Sequence, residues 1–170
     1  MNRTIALLAT LALPVALAAL AESAKDTDKD FYTKAAQAGM AEVATGQLAI
    51  SNGSDQKIKE FGKQMVDDHT KAGNELTSIA QRDGVTLPSE ATKAQQDAAQ
   101  KLSAKSGHAF DVAYAHMAVK DHEEAVALFK QEASSGKEAD MKAFAQKTLP
   151  TLEQHLKMAK ELPGAAAKAE

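Results

Sequence analysis

The chain has 170 residues, no cysteine, and a formal net charge of -3 from 20 lysines and arginines against 23 aspartates and glutamates. This length predicts one domain, or two at most, and the nearly balanced charge argues against nucleic acid as the main partner. The lack of cysteine excludes disulfides, thiol catalysis and cysteine-based metal sites. Abundant alanine, with only 4% aromatic residues, predicts an all-α fold.

The first residues have the pattern of an export signal. Arg3 precedes an apolar stretch from Ile5 to Leu20, and Ala19-Leu20-Ala21 fits the small-x-small cleavage rule. The apolar stretch is short for a membrane span, and the sequence has no second one. We therefore predict a signal peptide at residues 1–21, a short linker at 22–27, and no membrane span after cleavage. An uncleaved N-terminal anchor is the alternative.

Four long helical segments follow. The first is predicted from about Asp28 to Ser51, and the second begins after Ser54, its predicted N-cap, and stops near Gly84. The third helix is predicted to follow Ser106-Gly107 and to end at Ser134-Ser135-Gly136. The fourth is predicted to carry Met141 to Leu162 and to stop at Pro163-Gly164, and Pro150 should kink it or mark a restart. Residues 164–170 are predicted to form a disordered tail.

A polar segment from Glu90 to Ser103 separates the second and third long helices. It has helical propensity but little apolar face, which predicts a crossover that forms at most a thin surface helix. Two short connections and one long one are typical of a four-helix bundle with the connectivity of ferritin-like folds. We predict such a bundle over residues 28–163, with simple up-down-up-down topology as the alternative.

Each long helix places one polar side chain on its apolar face. From the helical rise, each of these four side chains lies about 16–27 Å along its helix from the turn that joins that helix to its neighbour. This distance is near the middle of each helix. Side chains on helices about 8–10 Å apart can converge on one ion. We predict one transition-metal ion, zinc or iron, with copper or manganese as alternatives, bound by Glu42, His69, His122 and His155.

Other polar residues have a less direct relation to this site. Asp68 and Asp121 each precede a candidate histidine and point about 100° away from it. Each aspartate either accepts an imidazole N–H from a neighbouring helix or faces water. His108 and His116 fall off the common level and are predicted at the surface. A metal-free polar network that fixes the helix register is the alternative to the metal site.

The chain also resembles a known family. The resemblance rests on Gly39-Met40-Ala41-Glu42, Met65-Val66-Asp67-Asp68-His69, Asp121-His122, and Thr148-Leu149-Pro150-Thr151-Leu152 with His155. These motifs resemble those of a bacterial family of exported domains of unknown function, classed as ferritin-like and often labelled an outer membrane protein. The resemblance implies a four-helix bundle in the periplasm and no particular activity.

One departure from ferritin-like enzymes limits the predicted chemistry. Di-iron bundles use Glu-x-x-His motifs, whereas the positions three before the candidate histidines hold Val66, Val119 and Leu152. We therefore expect a single ion in metal buffering or stress protection, rather than an enzyme. One alternative is a metal-free envelope-stress or interaction protein. The other is a mononuclear metalloenzyme acting on peroxide or superoxide. The sequence does not identify a protein partner.

Overall fold

The computed structural model describes the backbone of residues 15–166 and the side chains of residues 28–166. Within this range the chain forms helices and turns but no strand, which confirms the all-α prediction. The five helices are α1 (Val15–Asn52), α2 (Gln56–Arg82), α3 (Lys93–Ser103), α4 (Gly107–Ser135) and α5 (Ala139–Lys160).

The ends of the described chain differ from the sequence-based boundaries. α1 begins at Val15, so the predicted linker at 22–27 is helical. No glycine or proline lies between Val15 and Asp28, and the alanines there favour a continuing helix. Residues 1–14 lie outside the described range, and cleavage after Ala21 stays a prediction. Of the predicted tail, residues 164–166 form a turn and residues 167–170 lie outside that range.

Two local predictions change at α2 and α5. Asp55, and not Ser54, is the N-cap of α2, because its side chain accepts a hydrogen bond from the Lys57 amide at 2.7 Å. The backbone amide and hydroxyl of Ser54 instead donate to the Asp111 carboxylate. α5 runs as one helix through Pro150, so the predicted restart there is absent.

The long connection between α2 and α4 contains the short helix α3. A capping box opens this helix, in which Thr92 accepts from the Gln95 amide and the Gln95 side chain accepts from the Thr92 amide. Leu102 is the buried residue through which α3 is anchored to the core. α3 contacts α1 and α4, in agreement with the predicted thin helix on the crossover.

The contacts between turns and helices establish the direction of each helix. The α1–α2 turn lies at the start of α4, where the Ser54 amide is 2.9 Å from Asp111 Oδ1. The α4–α5 turn lies beside α1, where the Glu138 amide is 2.7 Å from Asp28 Oδ2. α2 and α4 therefore run in the same direction, and residues 83–106 return along the helices. The up-down-up-down alternative would need antiparallel α2 and α4.

The two hairpins, α1–α2 and α4–α5, repeat each other at an offset of 83 residues, the separation of Asp28 from Asp111. At this offset the last residue of α1, Asn52, corresponds to the last residue of α4, Ser135, and the first residue of α2, Gln56, corresponds to the first residue of α5, Ala139. Asp28 and Asp111 are both buried, and each accepts backbone amides of the other hairpin's turn. Buried side chains also correspond, in the pairs Phe31/Tyr114, Ile58/Met141 and Phe61/Phe144.

The core consists of two apolar clusters. One includes Phe31, Phe129 and Phe144 and lies towards the α4–α5 turn, and the other includes Phe61 and Phe110 and lies towards the α1–α2 turn. The four long helices surround both clusters, with contacts between α1 and α2, α4 and α5, α1 and α4, and α2 and α5. Among the described residues, no helix combines the length and apolar character that a membrane crossing requires.

Candidate metal centre

Three histidines meet between the two apolar clusters. His69 on α2, His122 on α4 and His155 on α5 each offer one potential ligand atom, and these atoms lie within 4.8 Å of one another. Their ring centroids are 5.4–5.7 Å apart. Each histidine follows a buried core residue by three or four positions, so the helical repeat turns each ring inward.

Each of these rings has one buried nitrogen without a hydrogen-bond partner. These atoms are Nε2 of His69, Nε2 of His122 and Nδ1 of His155. Buried polar atoms in proteins are nearly always paired, because an unpaired one costs about 1–3 kcal/mol. Three such nitrogens on adjacent rings could therefore bind a metal ion.

The opposite nitrogens of two rings have partners that fix the tautomer. His122 Nδ1 lies 2.8 Å from the Ala118 carbonyl oxygen, and His155 Nε2 lies 2.9 Å from Asp68 Oδ2. Because only a protonated ring nitrogen can donate to these oxygens, the lone pair of each neutral ring lies on its unpartnered nitrogen. This arrangement is typical of metal-binding histidines, whose second nitrogen donates to a carbonyl or carboxylate.

The environment keeps all three imidazoles neutral at pH 7. Burial, together with the two neighbouring imidazoles, lowers the pKa of His69 to about 3. Burial lowers the pKa of His122 to about 4. It also lowers the pKa of His155, although Asp68 acts in the opposite direction. Neutral rings have the free lone pair that a metal ion needs.

Glu42 lies outside the group of three converging nitrogens. Its Oε1 is 3.5 Å from His122 Nδ1, the nitrogen that bonds to Ala118 rather than the unpartnered one. The Glu42 carboxyl therefore contacts the His122 ring at Nδ1 and is not a member of the group of three histidines. Burial raises the pKa of Glu42 to about 8, with a further contribution from Asp121.

The two aspartates differ in position. Asp68 accepts the N–H of His155 from a neighbouring helix, one of its two predicted roles. In the described structure no hydrogen bond joins Asp121 to an imidazole, and Asp121 lines a surface cleft with Glu42 and Glu124. His108 is exposed and His116 is half-buried, and neither joins the cluster of three histidines.

Two contacts at the site were not apparent from the sequence. The Phe61 ring lies against His122 and His155, with centroid distances of 6.1 and 6.5 Å. Its position eight residues before His69 marks it as core, but spacing alone does not show that it contacts the other two rings. The Ala118 carbonyl has no signal in the sequence, because every residue carries one.

The cluster has the donor set of a mononuclear metal site. Tetrahedral zinc binds imidazole nitrogens at about 2.0–2.1 Å, which requires the nitrogens to be about 3.4 Å apart. From an upper separation of 4.8 Å, each nitrogen would move inward by about 0.8 Å, within reach of small side-chain rotations. Three protein ligands leave one coordination position open, as in catalytic zinc sites.

Comparison with known proteins identifies a family but no activity. Residues 13–162 match the family model described as "Domain of unknown function (DUF4142)". None of the curated proteins and none of the solved structures gave a match.

Proposed function

We propose that this chain, which belongs to the DUF4142 family, binds a single transition-metal ion through His69, His122 and His155. One observation carries the proposal: three adjacent imidazoles from three helices each have a buried nitrogen without a hydrogen-bond partner, and their potential ligand atoms lie within 4.8 Å of one another. The Ala118 carbonyl and the Asp68 carboxylate hold two of the rings with these nitrogens free.

Zinc or iron is the proposed ion. Neutral imidazole is a common ligand of both metals, and three imidazoles with an open position form a familiar site for zinc. A second ion is not part of the proposal, because bridging carboxylates are lacking. Asp68 is engaged with His155, and Glu42 contacts His122 at Nδ1.

The proposal includes a ferritin-like bundle in the periplasm that acts in metal buffering or stress protection. The parallel direction of α2 and α4 and the long connection at 83–106 support the ferritin-like assignment. The positive Arg3, the apolar stretch and the Ala19-Leu20-Ala21 site support export.

A metal-free polar network explains the cluster less well. Such a network would fix the helix register by pairing its buried polar atoms, whereas one nitrogen of each ring is unpartnered. A mononuclear metalloenzyme is the second candidate, since three ligands leave a position where peroxide or superoxide could bind. Metal-dependent turnover of either molecule would favour this candidate over buffering.

Elemental analysis of protein purified from periplasm, without chelators or a histidine tag, tests the proposal. We expect about one equivalent of a single metal per chain. His155→Ala should lower the affinity at least about 100-fold, because a ligand that supplies about a third of the binding free energy is lost. Competition with a chelator measures this change, and His108→Ala, which alters an exposed histidine, is the matched control.

Two outcomes would contradict the metal site. One is protein without metal that gains no thermal stability on addition of zinc, iron, manganese or copper. The other is an equal metal affinity of the His155→Ala and His108→Ala variants.

A further inference from the structure

A cavity of about 600 Å³ lies next to the histidine cluster. α1, α2 and α5 line it, together with Phe129 of α4 and the segment at residues 85–88. Its volume is within the range of small-molecule sites, about 300–1,000 Å³. His69 is the member of the cluster that lines this cavity.

The lining of the cavity carries no charge. Charged residues make up 25% of the chain, yet none of the described residues that line the cavity is Asp, Glu, Lys or Arg. The inner wall is formed by buried apolar side chains, among them Leu76, Phe144 and Leu152, and uncharged polar residues such as Thr70, Asn74 and Gln81 are at the exposed rim.

Two glycines contribute to the open space. Gly39 on α1 and Gly73 on α2 both line the cavity, and a Cβ added at either one would meet no other atom within 4 Å. In contrast, a Cβ at Gly46 or Gly62, where α1 and α2 touch, would come within 2.8 Å of the other's carbonyl oxygen. The helices therefore pack closely at one level and leave an unfilled cavity at another.

We infer that this cavity binds a neutral, largely apolar small molecule beside His69. The apolar wall would bury the body of the molecule, and the uncharged rim would accept a polar but uncharged group. A charged ligand would lose its hydration in a site that offers it no opposite charge. This inference goes beyond the proposed metal ion: of the three histidines, His69 alone lines the cavity.

Two dyes that differ by one charge test the inference. N-phenyl-1-naphthylamine is neutral, and 8-anilinonaphthalene-1-sulfonate has the same ring system with a sulfonate. In fluorescence titrations of the full chain, we expect the neutral dye to saturate at one molecule per chain. It should bind at least about tenfold more tightly than the sulfonate. Both titrations are made on metal-free protein in the presence of a chelator, so that their outcome does not depend on the metal site.

Variants that fill the cavity locate the binding. Gly39→Leu and Gly73→Leu are expected to weaken binding of the neutral dye at least about tenfold, because each places a side chain in the open space. Leucine has a higher helix propensity than glycine, so both variants should stay folded, and circular dichroism checks this. Ala127→Leu, at an exposed position in the middle of α4, is the matched control with unchanged affinity.

Three results would overturn the inference. The sulfonate could bind as tightly as the neutral dye. Both glycine variants could bind the neutral dye like the unmodified chain. The full chain could also form a dimer that excludes the dye and that Gly39→Leu dissociates in light-scattering measurements, in which case a second copy fills the cavity.

Discussion

The histidine cluster and the cavity occupy equivalent places in the two halves of the molecule. At the offset of 83 residues, the counterparts of His122, His155 and His69 are Gly39, Ala72 and Leu152, and all three counterparts line the cavity. The same helical framework therefore holds three imidazoles in one place and open apolar space in the other. The framework is repeated, but the chemistry is not.

Comparing equivalent positions in the two halves distinguishes residues that fill the core from residues that belong to a candidate site. Phe61 and Phe144, or Ile58 and Met141, are buried alike at equivalent positions, as expected for side chains that fill the core. The histidines have small or apolar counterparts, so packing the framework does not require an imidazole there. Departures from the internal repeat such as these are therefore candidates for residues with a role beyond folding.

The two buried aspartates give the largest expected effect, and they test whether the halves are equivalent. Asp111→Ala and Asp28→Ala should each lower the free energy of unfolding by about 3 kcal/mol, because each leaves at least two turn amides without an acceptor. Denaturant unfolding measures the loss, with the exposed Asp67→Ala as control. A large loss in only one of the two variants would break the equivalence.

The second prediction compares Asp68, which contacts the histidine cluster, with its counterpart in the other hairpin. Asp68→Ala should lower zinc affinity about 10–100-fold, because His155 loses the acceptor that orients its ring. The equivalent position in the other hairpin is the exposed Thr151, and Thr151→Ala should leave the affinity unchanged. Chelator competition compares the two variants. If they bind zinc equally well, Asp68 has no part in holding the site.

The third comparison concerns a pH dependence confined to one hairpin. Glu132 is buried on α4, whereas its counterpart on α1 is Ala49. Burial, together with the neighbouring Asp28 carboxylate and against the nearby Lys142, raises the pKa of Glu132 to about 7. The unfolded chain therefore loses this proton at lower pH than the folded one, and the group destabilises the fold as pH rises from its ordinary pKa to about 7.

Glu132→Gln removes that contribution, since an amide does not ionise in this range. The melting temperature of the variant, relative to the unmodified chain, should rise between pH 5 and pH 8. The exposed Glu124→Gln should show no such trend. A pH-independent difference for Glu132→Gln would mean that the Glu132 carboxyl ionises alike in the folded and unfolded chain.

The sequence predicted the helices and the inward histidines because both follow from helical periodicity. His69, His122 and His155 lie in register with buried apolar residues, so a repeat of 3.6 residues is enough to turn them towards a common centre. The beginning of α1 was not predicted, because residues 15–27 were assigned to the signal peptide and the linker, although no helix-breaking residue separates Val15 from Asp28.

Helical periodicity could not predict the contact that Glu42 makes or the presence of the cavity. Periodicity turns Glu42 inward, but the side of the His122 ring that it contacts depends on how α1 is rotated against α4. The cavity arises where side chains are missing, at positions such as Gly39 and Gly73. Only the assembled helices show whether a neighbour fills the space above a glycine.

The crossed aspartate contacts also bear on how the chain reaches its fold. The contact between Asp28 and the Lys137 amide joins residues 109 positions apart, and the turn at Ser54 is held by Asp111 of the later hairpin. The full set of hydrogen bonds at either turn therefore forms only when both hairpins have come together. Folding is therefore expected to be cooperative, and to be slow for a helical protein because its decisive contacts are non-local. A nascent chain that ends before α4 contains Asp28 and the α1–α2 turn but lacks both of their hydrogen-bond partners.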